Sequence, residues 1–122
     1  MATKSVKLLI VDDSNIVRRH IQREIGADHE IRTAGDGVEA LRVFDEFHPE
    51  IVTMDITMPN MDGLSCVEAI LQRNAATRIL VISALADRGT AVEAVKRGAH
   101  GFLLKPFTSE TLATEISELF VD

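Results

Sequence analysis

Asp12 and Asp13 stand side by side directly after the apolar run Leu8-Leu9-Ile10-Val11, and Asp55 stands directly after Ile51-Val52-Thr53-Met54. If those runs are neighbouring strands, their ends bring three carboxylates close together, and mutual repulsion opposes ionisation of all three. A bound divalent cation resolves that conflict. A small set of oxygen ligands, with positions left open for water and phosphate, suits Mg2+ better than a metal preferring nitrogen or sulfur. Two further apolar runs end at Ser83, before the small Ala84, and at Lys105, before Pro106. A hydroxyl donor and an ammonium in the same crevice would surround the equatorial oxygens of a phosphoryl group in transfer. Acids, cation, lysine and hydroxyl together make one site for phosphoryl chemistry.

Each residue alone also has an ordinary reading. Asp12 or Asp13 caps a helix at a strand-to-helix turn, Ser83 occupies a turn, and Lys105 is a solvated surface charge. Asp55 fits an ordinary role least, because an acid ending a run of buried-type residues is costly to desolvate unless a cation or donors offset it. The joint placement at strand ends favours the functional reading.

The elements that must position these groups are legible as alternating patterns. Strand-length apolar runs occur at Val6 to Val11, Glu30 to Thr33, Ile51 to Met54, Arg78 to Ile82 and Gly101 to Leu104. Helical spacing fills the intervals: Val17, Ile21 and Ile25 after Ser14-Asn15 and before Gly26; Val38, Leu41 and Phe44 after Asp36; Leu64, Val67 and Leu71 after Asp62. Val92 and Val95 precede Gly98, and Leu112, Ile116 and Leu119 follow Thr108. Five strands alternating with five helices require right-handed crossovers, hence a mostly parallel sheet with helices on both faces, a three-layer α/β sandwich. In such sheets functional groups gather beyond the C-terminal ends of the strands.

A chain of 122 residues with 46% hydrophobic content holds one core and leaves no room for a second domain. Its apolar stretches are too short and too interrupted by charge for a membrane span or a signal-peptide core. The single cysteine, Cys66, cannot form an internal disulfide and is expected as packing, in keeping with a cytoplasmic location. A net charge of -6 argues against direct nucleic-acid binding, which depends on cations that neutralise phosphates.

Five ordered blocks carry a resemblance: Val11-Asp12-Asp13-Ser14, Met54-Asp55-Ile56-Thr57-Met58-Pro59, Asp62-Gly63, Ser83-Ala84 and Lys105-Pro106-Phe107. Together they resemble the response-regulator receiver family, and in particular its free-standing, chemotaxis-type members, over essentially the whole chain. The resemblance implies a doubly wound, flavodoxin-like α/β fold with a five-stranded parallel sheet of order 2-1-3-4-5 and five helices. It implies a single receiver domain over 1–122 with no output domain, a signalling protein rather than an enzyme. Asp55 would accept a phosphoryl group from a histidine kinase or a histidine phosphotransfer protein. Asp13, Asp55 and the Thr57 backbone carbonyl would bind Mg2+ directly, with Asp12 acting mostly through water. Lys105 would contact the phosphoryl group, Ser83 would reorient to donate to it, and Lys105-Pro106 would be a cis peptide. Phe102 falls where the family places an aromatic that turns inward with the serine; its alternative is ordinary core. These movements would reshape the surface of the fourth helix, fifth strand and fifth helix that engages a downstream target protein. Thr57 and Leu85 lack the charged or amide groups many relatives carry and would set the phosphoryl lifetime. Ile16, Arg18 and Arg19 resemble a docking surface for the phosphodonor, or else a solvated helix face.

Three competing classes remain in view. Gly35-Asp36-Gly37-Val38-Glu39-Ala40 matches G-x-G-x-x-A, with Asp55 twenty residues beyond Gly35. As a dinucleotide fingerprint it would sit after the second strand and leave Asp12, Asp13 and Lys105 unexplained. A phosphohydrolase with an aspartyl-phosphate intermediate would need a cap that no segment supplies. An interaction module that takes no phosphate would not need the acids, Ser83 and Lys105.

Overall fold

The structure, a computed structural model, describes residues 6–26, 29–56, 62–84 and 88–119. Strands β1 (Lys7–Val11), β2 (Glu30–Ala34), β3 (Ile51–Asp55), β4 (Arg78–Ser83) and β5 (Gly101–Leu104) alternate with helices. The helices are α1 (Asn15–Ile25), α2 (Gly37–Phe47), α3 (Gly63–Arg73), α4 (Arg88–Lys96) and α5 (Ser109–Leu119). All pairings are parallel and the strand order is β2-β1-β3-β4-β5, the doubly wound arrangement expected.

The central strands read as nearly continuous apolar runs because both of their faces are covered. Alternate residues serve opposite faces. Leu9, Val11, Val52, Met54, Ile79 and Val81 pack with Phe44 of α2 and with Val67 and Ile70 of α3. Leu8, Ile10, Ile51, Leu80 and Ile82 pack with Ile21 of α1 and with Leu112 and Ile116 of α5. Edge strand β2 is largely exposed, as its polar sequence Glu30-Ile31-Arg32-Thr33 requires. Among the described residues no helix is long and apolar enough to cross a membrane.

Local signals start the helices. Ser14, Asp36 and Asp62 each occupy an N-cap and accept the N–H of the third residue beyond, from Val17, Glu39 and Ser65. The Gly35-Asp36-Gly37 segment is thus a helix start: Asp36 caps α2, and Glu39 reaches back to accept the Gly35 N–H at 2.7 Å. Gly26 ends α1 with φ +89°, a region that glycine enters freely.

Two helical stripes differ from the sequence expectation. In α2 the buried arc runs through Ala40, Val43, Phe44 and Phe47, which places Val38 on the far side at 58% exposure. In α4, Ala94 is buried, while Val92 and Val95 are exposed at 46% and 58%. Each of these valines lies roughly 100° to 200° around the helix from the residue that meets the sheet.

Candidate functional site

Strand register builds the site. Val11 pairs with Met54, so Asp12 emerges beside Asp55, which pairs in turn with Ile82. Ser83 pairs with Leu104 and accepts the Lys105 N–H on its carbonyl at 2.8 Å, so Lys105 enters the same crevice from β5. Asp55 and Ser83 are the last residues of their strands and not the first of the following loops, and both are buried.

Asp12 and Asp55 are each only 1% exposed, whereas Asp13 faces solvent. Each of the three acids presents an oxygen within 4.8 Å of the others. Lys105 Nζ lies 2.8 Å from Asp12 Oδ2 and 3.7 Å from Asp55 Oδ2. Burial pushes the Asp12 carboxyl above its ordinary value, against the lowering effect of Lys105 and of the Ser14 N–H it accepts at 2.9 Å. Asp12 therefore braces the loop, while Ser14 and neither acid caps α1. With all three acids ionised, three negative charges face one ammonium, leaving a deficit of two positive charges among oxygen-only donors. A hard divalent cation fits that donor set and that deficit.

Two neighbours hold the acid loops in place. Arg18 donates from Nη1 to the Asp12 carbonyl and is half-buried, so Arg19 is the exposed member of the pair. Gly63, at the start of α3, lies so close to the Asp55–Ile56 peptide that a Cβ there would collide with the Asp55 carbonyl oxygen and Ile56 Cα. The Asp62-Gly63 pair marked this place in the sequence, but the close approach comes only with the packing of α3. Ile16 is 81% exposed on the first turn of α1. Phe102 is half-buried against the cluster formed with α2 and α3. The Lys105–Pro106 peptide is cis. Thr57 and Leu85 lie outside the described residues.

Cys66 is buried, and burial pushes its thiol up to about 12, which leaves it unreactive packing. A feature not anticipated from the sequence is a groove beside the acids, lined by Ile16, Val17, His20, Ala84, Lys105, Pro106 and Phe107.

Comparison with known proteins gives a consistent picture. The family model of the response regulator receiver domain matches residues 8–117. The chemotaxis protein CheY of Listeria monocytogenes is 40% identical over 107 residues, covering 86% of this chain and 90% of that protein. A protein-glutamate methylesterase/protein-glutamine glutaminase of Rhodospirillum rubrum is 37% identical over 93% of this chain, which corresponds to 31% of that longer protein. Among solved structures, the CheX-CheY-BeF3-Mg+2 complex from Borrelia burgdorferi contains a chain that superimposes with a TM-score of 0.91. That chain is 31% identical, with 96% of this chain and 90% of that one covered.

Proposed function

The chain belongs to the response regulator receiver family, and from that premise we propose that it is a phosphorylation-activated switch of a two-component relay whose acceptor is Asp55. The observation that carries this reading is the cluster of Asp12, Asp13 and Asp55 with Lys105 Nζ poised between two of the acids. Asp55 Oδ attacks the phosphorus of a phosphohistidine on a histidine kinase or histidine phosphotransfer protein, and the P–N bond breaks. Asp13, Asp55 and the Thr57 carbonyl would hold Mg2+, with Asp12 acting mostly through water. When bound, the ion offsets the negative charge of the acids and of the phosphoryl oxygens. Lys105 exchanges its place between the carboxylates for a contact with a phosphoryl oxygen, and Ser83 turns its hydroxyl toward another.

Ser83 and Phe102 then couple the site to the α4-β5-α5 surface. The exposure of Val92, Val95 and Leu104 there supports a face that a downstream target protein covers. Ile16 and Arg19, with Arg18 behind them, supply the docking face for the phosphodonor. Thr57 and Leu85 tune the phosphoryl lifetime. The molecule acts in the cytoplasm as a signalling protein rather than an enzyme, in a chemotaxis-type role, without binding nucleic acid or inserting in a membrane.

The test is intact mass after incubation with Mg2+ and acetyl phosphate, with Asp55→Asn and chelated samples as controls. One phosphoryl group gained by the wild type alone is expected. An unchanged mass in metal would overturn the reading in favour of a phosphate-independent interaction module.

A further inference from the structure

At the open edge of the sheet, α1 and β2 enclose a groove of about 720 Å3 lined by Arg19, Gln22, Arg23, Gly26, His29 and Ile31. Ile31 packs onto the cluster that contains Ile21 of α1 and supplies an apolar patch. None of these described residues is acidic, in a chain whose net charge is -6. Glu24, the one acid of α1, lines a separate cavity against Leu112 and Ile116 of α5. Arg19 and Arg23 stand one turn apart on the helix, where like charges repel and weaken it. Arg18, Arg73 and Arg97 each reach an oxygen acceptor, whereas Arg19 and Arg23 have no hydrogen bond or ion pair among the described residues. The groove therefore holds two cations that nothing described in the protein balances.

The strand beside it is also incomplete. Among the described residues β2 pairs with β1 alone. Glu30 donates its N–H to the Val6 carbonyl, and the Ala34 carbonyl accepts the Asp12 N–H, so Glu30, Arg32 and Ala34 turn their backbone groups toward β1. Alternation directs the N–H and C=O of Ile31 and Thr33 to the open side.

We propose that this edge is a docking site for an extended, acidic segment of a partner protein, which adds to the sheet beside β2 and sets its carboxylates against Arg19 and Arg23. Side chains of an added strand alternate between the two faces, so acids at every second position fall on the α1 side. The residues between them lie on the other face, where Arg32 covers the Phe47 ring at 4.8 Å. Backbone pairing supplies affinity, and the spacing of the acids supplies specificity. The inference does not depend on the phosphoacceptor.

Three fluorescein-labelled peptides of equal length test it by anisotropy with the full chain at low salt: glutamate alternating with threonine, the same composition in two blocks, and lysine alternating with threonine. The alternating acidic peptide should bind, the block peptide about tenfold more weakly, and the lysine peptide not at all. Arg23→Glu, which turns an attraction into a repulsion, and Thr33→Pro, which removes an outward N–H at an edge that tolerates proline, should each weaken binding by about tenfold. Both variants are checked for retained fold by circular dichroism. In the unaltered chain, saturating peptide should slow amide exchange at Ile31 and Thr33 and leave Arg32, already bonded to β1, unchanged. Equal binding of the alternating and block peptides would overturn the proposal and leave a surface that attracts anions without pairing. Absence of binding, binding untouched by both variants, or unaltered exchange at Ile31 and Thr33 would overturn it as well.

Discussion

The two ends of the parallel sheet are built on opposite terms. At the N-terminal end, Glu30 N–H donates to Val6 O, Arg78 N–H to Glu50 O and His100 N–H to Ile79 O, at 2.8 to 3.1 Å. Two imidazoles extend the pattern: His29 Nδ1 accepts from Val6 N and His100 Nδ1 accepts from Ile79 N, so edge strands β2 and β5 are each tied to an inner neighbour by a ring nitrogen. At the C-terminal end, three acids share a small volume with one lysine, and two of the acids are buried. One end ties these backbone groups within the protein. The other holds an excess of negative charge that a divalent cation would offset, which is the pattern of a working site.

The severest way to break that contrast is at Gly63. A side chain there meets backbone on both sides of the Asp55–Ile56 peptide, so neither partner can swing away. Gly63→Ala is expected to cost about 3 kcal/mol in urea denaturation, at the upper end of overpacking effects, and to abolish phosphorylation. Lys105→Ala comes next. It removes a charged hydrogen bond from buried Asp12, with an expected loss of roughly 2 kcal/mol in the metal-free protein. Its phosphorylation rate should fall by about 100-fold, as for loss of one preorganised donor.

Thr53 in the middle of β3 and Thr77 just before β4 each bury a hydroxyl that has no hydrogen-bond partner among the described residues. Thr53→Val should raise stability by about 1 kcal/mol and leave the acceptor chemistry intact. The smallest effect belongs to the N-terminal end. Burial, reinforced by Arg78, holds the His100 imidazole below its ordinary pKa. The unfolded chain takes up that proton near the usual value of about 6.5, the folded chain only at lower pH. Stability present above about 6.5 is therefore lost as pH falls from there toward the folded value. His100→Asn, whose amide oxygen can accept the Ile79 N–H, should reduce the drop in melting temperature between about pH 7 and about pH 5.5.

Much of this architecture is visible in the sequence because parallel strands buried on both faces read as unbroken apolar runs. In a doubly wound sheet, moreover, the residues ending those runs necessarily converge. Asp12, Asp55, Ser83 and Lys105 meet for that reason. Helix faces are less legible: periodicity reports that α4 is amphipathic, but the buried Ala94 decides which side meets the sheet and leaves Val92 and Val95 outside. Long polar side chains escape sequence reasoning altogether. Arg18 stands beside Arg19 as a second surface cation, yet its guanidinium folds back onto the Asp12 carbonyl. The histidine ties and the groove of His20 and Phe107 join residues distant in sequence, and no local pattern announces them.

The central claim is that a single carboxylate, Asp55, carries the phosphoryl group. After acetyl phosphate treatment in Mg2+, borohydride reduction converts an acyl phosphate to an alcohol, and peptide mapping locates the residue that changed from aspartate to homoserine. Conversion at Asp55 alone is predicted. Conversion at Asp12 or Asp13, or at none of the three, would contradict the account.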